Sequence, residues 1–75
     1  MDAITQLLYS YVRTAVQYER TGEHSYKKTL GMFRMRLKDQ GIIVKEIIED
    51  GNEFLVELED HGIPKQERIP KPSGL

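Results

Sequence analysis

Seventy-five residues, 39% apolar and 31% charged, give a chain of ordinary soluble composition that sits near the lower size limit for folding alone. The lack of cysteine excludes disulfides and thiolate zinc sites, and no apolar run approaches the roughly 20 residues that span a bilayer. The net charge of −1 hides a segregation: residues 1–40 hold seven bases against four acids (+3), and residues 41–75 hold four bases against eight acids (−4).

The N-terminal sequence Met1-Asp2-Ala3-Ile4 is not a basic region followed by an apolar one, so a secretory signal is not expected there. With no cysteine in the chain, the cytoplasm is the expected location. The length predicts one domain, residues 1–69, followed by a flexible Pro-rich tail, residues 70–75.

The first predicted element is a helix from Asp2 to Thr21. Ile4, Leu8, Tyr11, Ala15 and Tyr18 recur at spacings of three and four, and Leu7 and Val12 widen the stripe. Asp2 is suited to cap the first turn and Gly22 to end the helix. Tyr9 falls off the stripe and is expected to be half exposed.

A second helix is predicted from Tyr26 to Gln40, capped by Ser25 and stopped at Gly41. Tyr26, Leu30, Phe33 and Leu37 form its apolar face. The short connection, Gly22 to Ser25, predicts an antiparallel helical hairpin. Gly31 weakens the helix interior and leaves room for another backbone to approach. Lys27, Gly31, Arg34 and Lys38 fall on one line, and no acid occurs between His24 and Lys38.

Two strands follow, Ile42–Glu49 and Glu53–Glu59. A three-residue loop, Asp50-Gly51-Asn52, is expected between them, because it pairs Ile48 with Phe54 and Val44 with Leu58. Ile42 and Val56 join that face, with Glu46 as its misfit. On the other face the same register sets Lys45 opposite Glu57 and Ile47 opposite Leu55. A two-residue loop is disfavoured in this reading, since it places Lys45 against Leu58 and Glu49 against Phe54. A hairpin alone is marginal, so its inner face is expected to lie on the helices. Lys65 to Ile69, bracketed by Pro64 and Pro70, is suited to a short third edge strand. The predicted fold is α+β: two antiparallel helices, then a two- or three-stranded antiparallel β-meander, in two layers.

Catalytic signatures are missing. His24 and His61 lack a second ligand at metal-site spacing, so no metal is expected. Ser10, Ser25 and Ser73 lie in no nucleophile elbow, and the glycines form no phosphate-cradling loop. An exposed ladder of acids offers neither the burial nor the cleft that paired-carboxylate chemistry needs. No enzyme activity, cofactor or small-molecule substrate is expected.

The expectation is therefore a small cytoplasmic regulatory or inhibitory protein, of a size common in bacterial and phage genomes, that binds a protein partner or a second copy of itself as a homodimer. The binding face is the outer side of the hairpin. Ile43, Ile47 and Leu55 form its apolar centre, and Glu49, Glu53, Glu57 and Glu59 its polar rim. The alternative is nucleic-acid binding by the second helix through Lys27, Lys28, Arg34 and Lys38. A third possibility is a tail, Ile63 to Pro72, that orders on a partner as an added strand.

Overall fold

The computed structural model describes residues 2–71. It has two helices followed by a three-stranded antiparallel sheet, an α+β arrangement. The chain falls into two compact units, one ending at Gln40 and the other beginning at Gly41, and each is taken in turn.

Helix α1 spans Ala3–Thr21. The Asp2 carboxylate accepts from the Thr5 backbone N–H at 2.7 Å, which satisfies one of the free donors of the first turn. That bond holds the Asp2 carboxyl below its ordinary pKa. At the other end Gly22 turns left-handed and donates to the Tyr18 carbonyl at 2.8 Å. Leu8, Tyr11 and Val12 are buried, while Leu7, Ala15 and Tyr18 are half-buried. Tyr9 is half-buried too, and Ile4 in the first turn is exposed.

Helix α2 spans His24–Asp39 and packs on α1. It begins two residues earlier than the sequence pattern predicts, and its cap position is Glu23, whose side chain makes no capping bond. The reason lies in the connection. The Glu23 N–H donates to the Thr21 hydroxyl at 3.2 Å, so the chain leaves the left-handed turn at Gly22 already aimed into the next helix. The turn sets the start, and the Ser25 hydroxyl is not needed for it. Leu30 and Leu37 are buried and Tyr26 and Phe33 half-buried, as the stripe requires.

A Cβ added at Gly31 would meet nothing within 4 Å. The position is therefore open, and no backbone approaches it closely. Gly31→Ala is expected to stabilise the helix by about 0.5–1 kcal/mol by removing the glycine's entropic cost. A urea midpoint that stays put or falls would show that the glycine is required.

The sheet consists of β1 (Ile42–Asp50), β2 (Glu53–Asp60) and β3 (Ile63–Pro70), in the order β1-β2-β3. The β1–β2 loop has two residues, Gly51 and Asn52, and not three; Asp50 pairs with Glu53. Gly51 carries φ 61° while Asn52 is not left-handed, the pattern of a type II′ turn with glycine at its first central position. Ile48 therefore pairs with Leu55, Ile47 with Val56 and Glu49 with Phe54. The expected pairs Ile48–Phe54, Ile47–Leu55 and Lys45–Glu57 are not formed.

Both objections to this register are met by specific devices. Lys45 does not oppose Leu58, because the register shifts between Val44 and Glu46 and leaves Lys45 as the extra residue of a β-bulge. Beyond the bulge Val44 pairs with Leu58, as expected. Glu49 does oppose Phe54, but Lys71 answers both. Its Nζ bonds Glu49 Oε1 at 2.5 Å and lies 5.4 Å from the Phe54 ring centroid.

The β2–β3 connection is also a two-residue turn, His61-Gly62, with φ 52° and 82°. Positive φ at both central residues is the type I′ signature. The His61 N–H donates to the Gly41 carbonyl at 2.7 Å and extends the β1–β2 ladder by one rung. Hydrogen-bonded and non-bonded pairs alternate along an antiparallel ladder, starting from the bonded pair Asp60–Ile63 that closes this turn. Pro64 and Pro70 then fall at non-bonded positions facing away from β2, where a missing donor costs nothing. Of the tail expected to be flexible, Pro70 ends β3 and the Lys71 N–H donates to the Asn52 carbonyl at 2.9 Å. Residues 72–75 lie outside the described part.

One face of the sheet carries its buried side chains. Ile42, Phe54, Val56, Leu58 and Ile69 point to it, Val56 with no exposed surface at all. Val44 and Ile47 share this face and are half-buried.

Candidate functional site

The opposite, outer face is read directly from the register, since side chains alternate along each strand. It carries Ile43, Lys45, Glu46, Ile48 and Asp50 from β1. From β2 come Glu53, Leu55, Glu57 and Glu59, and from β3 come Pro64, Gln66, Arg68 and Pro70. Of the seven residues predicted for this face, Ile43, Leu55, Glu53, Glu57 and Glu59 are on it. Ile47 and Glu49 are not: they lie on the Phe54 face, between the bulge and the turn. Ile48 takes the place expected for Ile47.

The face is uneven. At the turn end Ile48 directly opposes Leu55; Ile48 is 37% exposed and Leu55 half-buried. Ile43, 46% exposed, stands apart at the far end of β1, beyond the bulge. An open depression of about 460 Å³ is lined by Lys45, Glu57, Leu58, Glu59, Pro64, Lys65 and Gln66.

Two pairs of carboxylates face each other across β1 and β2, Asp50 with Glu53 and Glu46 with Glu57. Like charges directly opposite are destabilising. The first pair is bridged: Arg68 Nη1 lies 2.9 Å from Asp50 Oδ2 and 3.6 Å from Glu53 Oε1. The hydrogen bond to Asp50 and its charge raise the Arg68 pKa. The second pair has no such bridge among the described residues. Glu57 receives only a neutral bond from Gln66 at 3.3 Å, and Lys45 turns to Glu59 at 3.8 Å. Glu46 and Glu57 thus leave an unneutralised negative spot beside the Ile48–Leu55 pair.

Compared with known proteins, the chain matches no family model, no curated protein and no solved structure.

The cations predicted for nucleic-acid binding are where the helix line puts them. Lys27, Lys28, Arg34 and Lys38 are all exposed. Within the helical unit they form no ion pair among the described residues; Arg34 Nη2 is 3.5 Å from the Tyr11 hydroxyl, at the outer edge of hydrogen bonding. Met35 and Met32, 70% and 46% exposed, lie between them and Arg36. A second concavity of about 520 Å³ runs between the helices, lined by Ser10, Arg13, Thr14, Gln17, Tyr26, Thr29 and Phe33. The Thr14 and Thr29 hydroxyls there are spent on the carbonyls of Ser10 and Ser25.

His24 opens α2, and His61 Nδ1 pairs with Asp60 Oδ1 at 2.7 Å. Among the described residues no group of three or more His, Asp or Glu side chains is placed to hold a metal ion, and no helix is long and apolar enough to cross a membrane.

Glu46, Ile48 and Arg68 were not selected from the sequence. The signal for the first two is the spacing of the inward residues Ile42, Val44 and Ile47. The gap widens from two to three across Lys45-Glu46, which is the mark of a bulge.

The sheet's carboxylates also set its acid limit. Lys71 holds Glu49 below the ordinary 4.5, first by its hydrogen bond and then by its charge. His61 and Lys65 hold Asp60 below the ordinary 3.8, the His61 hydrogen bond acting most. Lowered folded pKa values contribute stability that is complete above the unfolded values and is lost as pH falls through the folded ones. Urea midpoints are expected to be level above about pH 5 and to fall steadily below about pH 4. In Lys71→Met the fall should be shallower, because the Glu49 share is already gone; an identical acid slope would remove Lys71 from the account.

Proposed function

We propose that this chain is a small cytoplasmic binding protein without catalytic activity, regulatory or inhibitory in its effect, that docks on a protein through the outer face of its sheet. The observation that supports this reading most is the Ile48–Leu55 pair. It is apolar, it points away from the sheet's buried side, and it is bordered by Asp50, Glu53, Arg68 and the unneutralised Glu46–Glu57 pair. An apolar centre with a charged border is the anatomy of a docking patch, the border steering encounter and rejecting wrong charge. The acidic border selects a partner surface carrying Lys or Arg.

The test is the double variant Ile48→Ser, Leu55→Ser, compared with Ile47→Ser. The first should keep its circular dichroism spectrum and an unfolding free energy within about 1 kcal/mol of wild type, and lose the partner recovered with the wild type from native extract. Ile47→Ser, one residue along but on the buried face, should cost stability. Undiminished partner binding by the double variant would sink this reading.

A second reading has its own support, the exposed cations of α2 without an ion pair in their unit. As a nucleic-acid-binding helix, α2 would retain the protein on heparin or DNA in a strongly salt-dependent way. Arg34→Glu with Lys38→Glu should abolish that retention. No retention of the wild type at low salt disposes of it.

A further inference from the structure

Two surfaces of this chain are open and opposite in character. The solvent side of α2 carries Lys27, Lys28, Arg34, Arg36 and Lys38 around exposed Met32 and Met35, with Gly31 leaving a flat spot among them. The outer face of the sheet carries Glu46, Glu57 and their acidic neighbours around Ile48 and Leu55. Each surface has an apolar centre in a charged frame, and the two frames have opposite sign. Their sizes also agree. The cationic line from Lys27 to Lys38 is about 16 Å long on a helix about 10 Å across. The outer face is about 10 Å wide over three strands and about 25 Å long. A net charge of only −1 puts no long-range repulsion between copies.

We propose that the outer sheet face recognises a second copy of this chain, with α2 of one copy lying on the sheet of the next. This rests on the docking reading above and names its partner. The contact is head-to-tail, because the two surfaces differ. It therefore closes reciprocally as a twofold pair, closes into a larger ring or continues as a chain. The Lys27–Lys38 line supplies what Glu46 and Glu57 lack, as Arg68 does for Asp50 and Glu53. The footprint is a single helix on three strands, below the standard interface size, so the association is weak and falls with salt.

The experiment uses two full-length variants and sedimentation at low salt. The sheet variant is Glu46→Lys with Glu57→Lys. It exchanges one like-charged pair for another, so the fold is not asked to carry a new kind of cost. The helix variant is Lys27→Glu with Lys38→Glu. Wild type should associate with rising concentration, and each variant alone should lose that association by an order of magnitude or more. An equimolar mixture of the two should recover it, since each variant then meets a reversed counter-surface. Glu19→Lys with Glu23→Lys adds the same net charge elsewhere and should still associate alone. A wild type that stays monomeric at millimolar concentration and low salt overturns the proposal, as does a mixture that fails to associate. If the wild type is monomeric yet the helix variant alone loses heparin retention, the cations serve a polyanion. Failure here with loss of partner binding in Ile48→Ser, Leu55→Ser removes only the self-recognition and leaves the docking face standing.

Discussion

Phe54→Ala is expected to cost the sheet about 3–5 kcal/mol, the usual penalty for emptying a buried phenylalanine site. Phe54 is only 5% exposed and sits in the central strand between Glu49 of β1 and Ile69 of β3. Its ring is also the surface over which Lys71 lies while bonding Glu49. Removing the ring leaves a cavity on the buried face, and leaves Lys71 without the platform that joins residue 71 to β1. A chain of this length has a total stability of about 4–11 kcal/mol, so the loss is a large share of the whole. Urea unfolding followed by circular dichroism should show the midpoint fall sharply or the strand signal disappear. Leu55→Ala is the internal comparison. It is adjacent in sequence but on the outer face and half-buried, so it should cost much less. Equal penalties at the two positions would mean that the faces of β2 are not as described.

What the sequence made legible divides at particular residues. Both caps of α1 are local events: Asp2 meets Thr5, and Gly22 meets Tyr18, each within four residues, and both were readable. The faces of β2 were readable as well, because its alternation from Glu53 to Glu59 is unbroken. In β1 the reading held as far as Val44 and inverted beyond Lys45. A shift of one residue in register turns every side chain to the other face. The bulge confines that shift to the stretch between itself and the turn, which is where Ile47, Ile48 and Glu49 exchanged sides. The choice between loops rested on what opposes Leu58 and Phe54; the bulge removes the first objection, and the group that answers the second, Lys71, is 22 residues from Glu49. No local pattern exposes such a contact. The same holds for Arg68, whose bridge to Asp50 and Glu53 relieves the repulsion in one acidic pair while Gln66, being neutral, leaves the next pair unrelieved.

Gly41→Ala is the second large effect, and it acts on the start of the sheet. Gly41 has φ 80°, in the left-handed region where a Cβ is strained by about 1–2 kcal/mol. A Cβ there would also stand 2.7 Å from His61 Nε2 and 2.8 Å from Cδ2 and Cε1, closer than such atoms approach. The two costs are separable. His61 is largely exposed, so its ring can swing away, but doing so gives up the bond from Nδ1 to Asp60 that helps keep that carboxylate ionised. Backbone strain has no such escape, because the Gly41 carbonyl must stay in place to accept from the His61 N–H. In a double-mutant cycle with His61→Ala, the Gly41→Ala penalty should shrink toward the strain alone and not vanish. Complete relief by His61→Ala would mean that the backbone at Gly41 is free to leave the left-handed region. An unchanged penalty would mean that the ring already stands clear, and that the glycine is required by its conformation and not by the histidine packed against it.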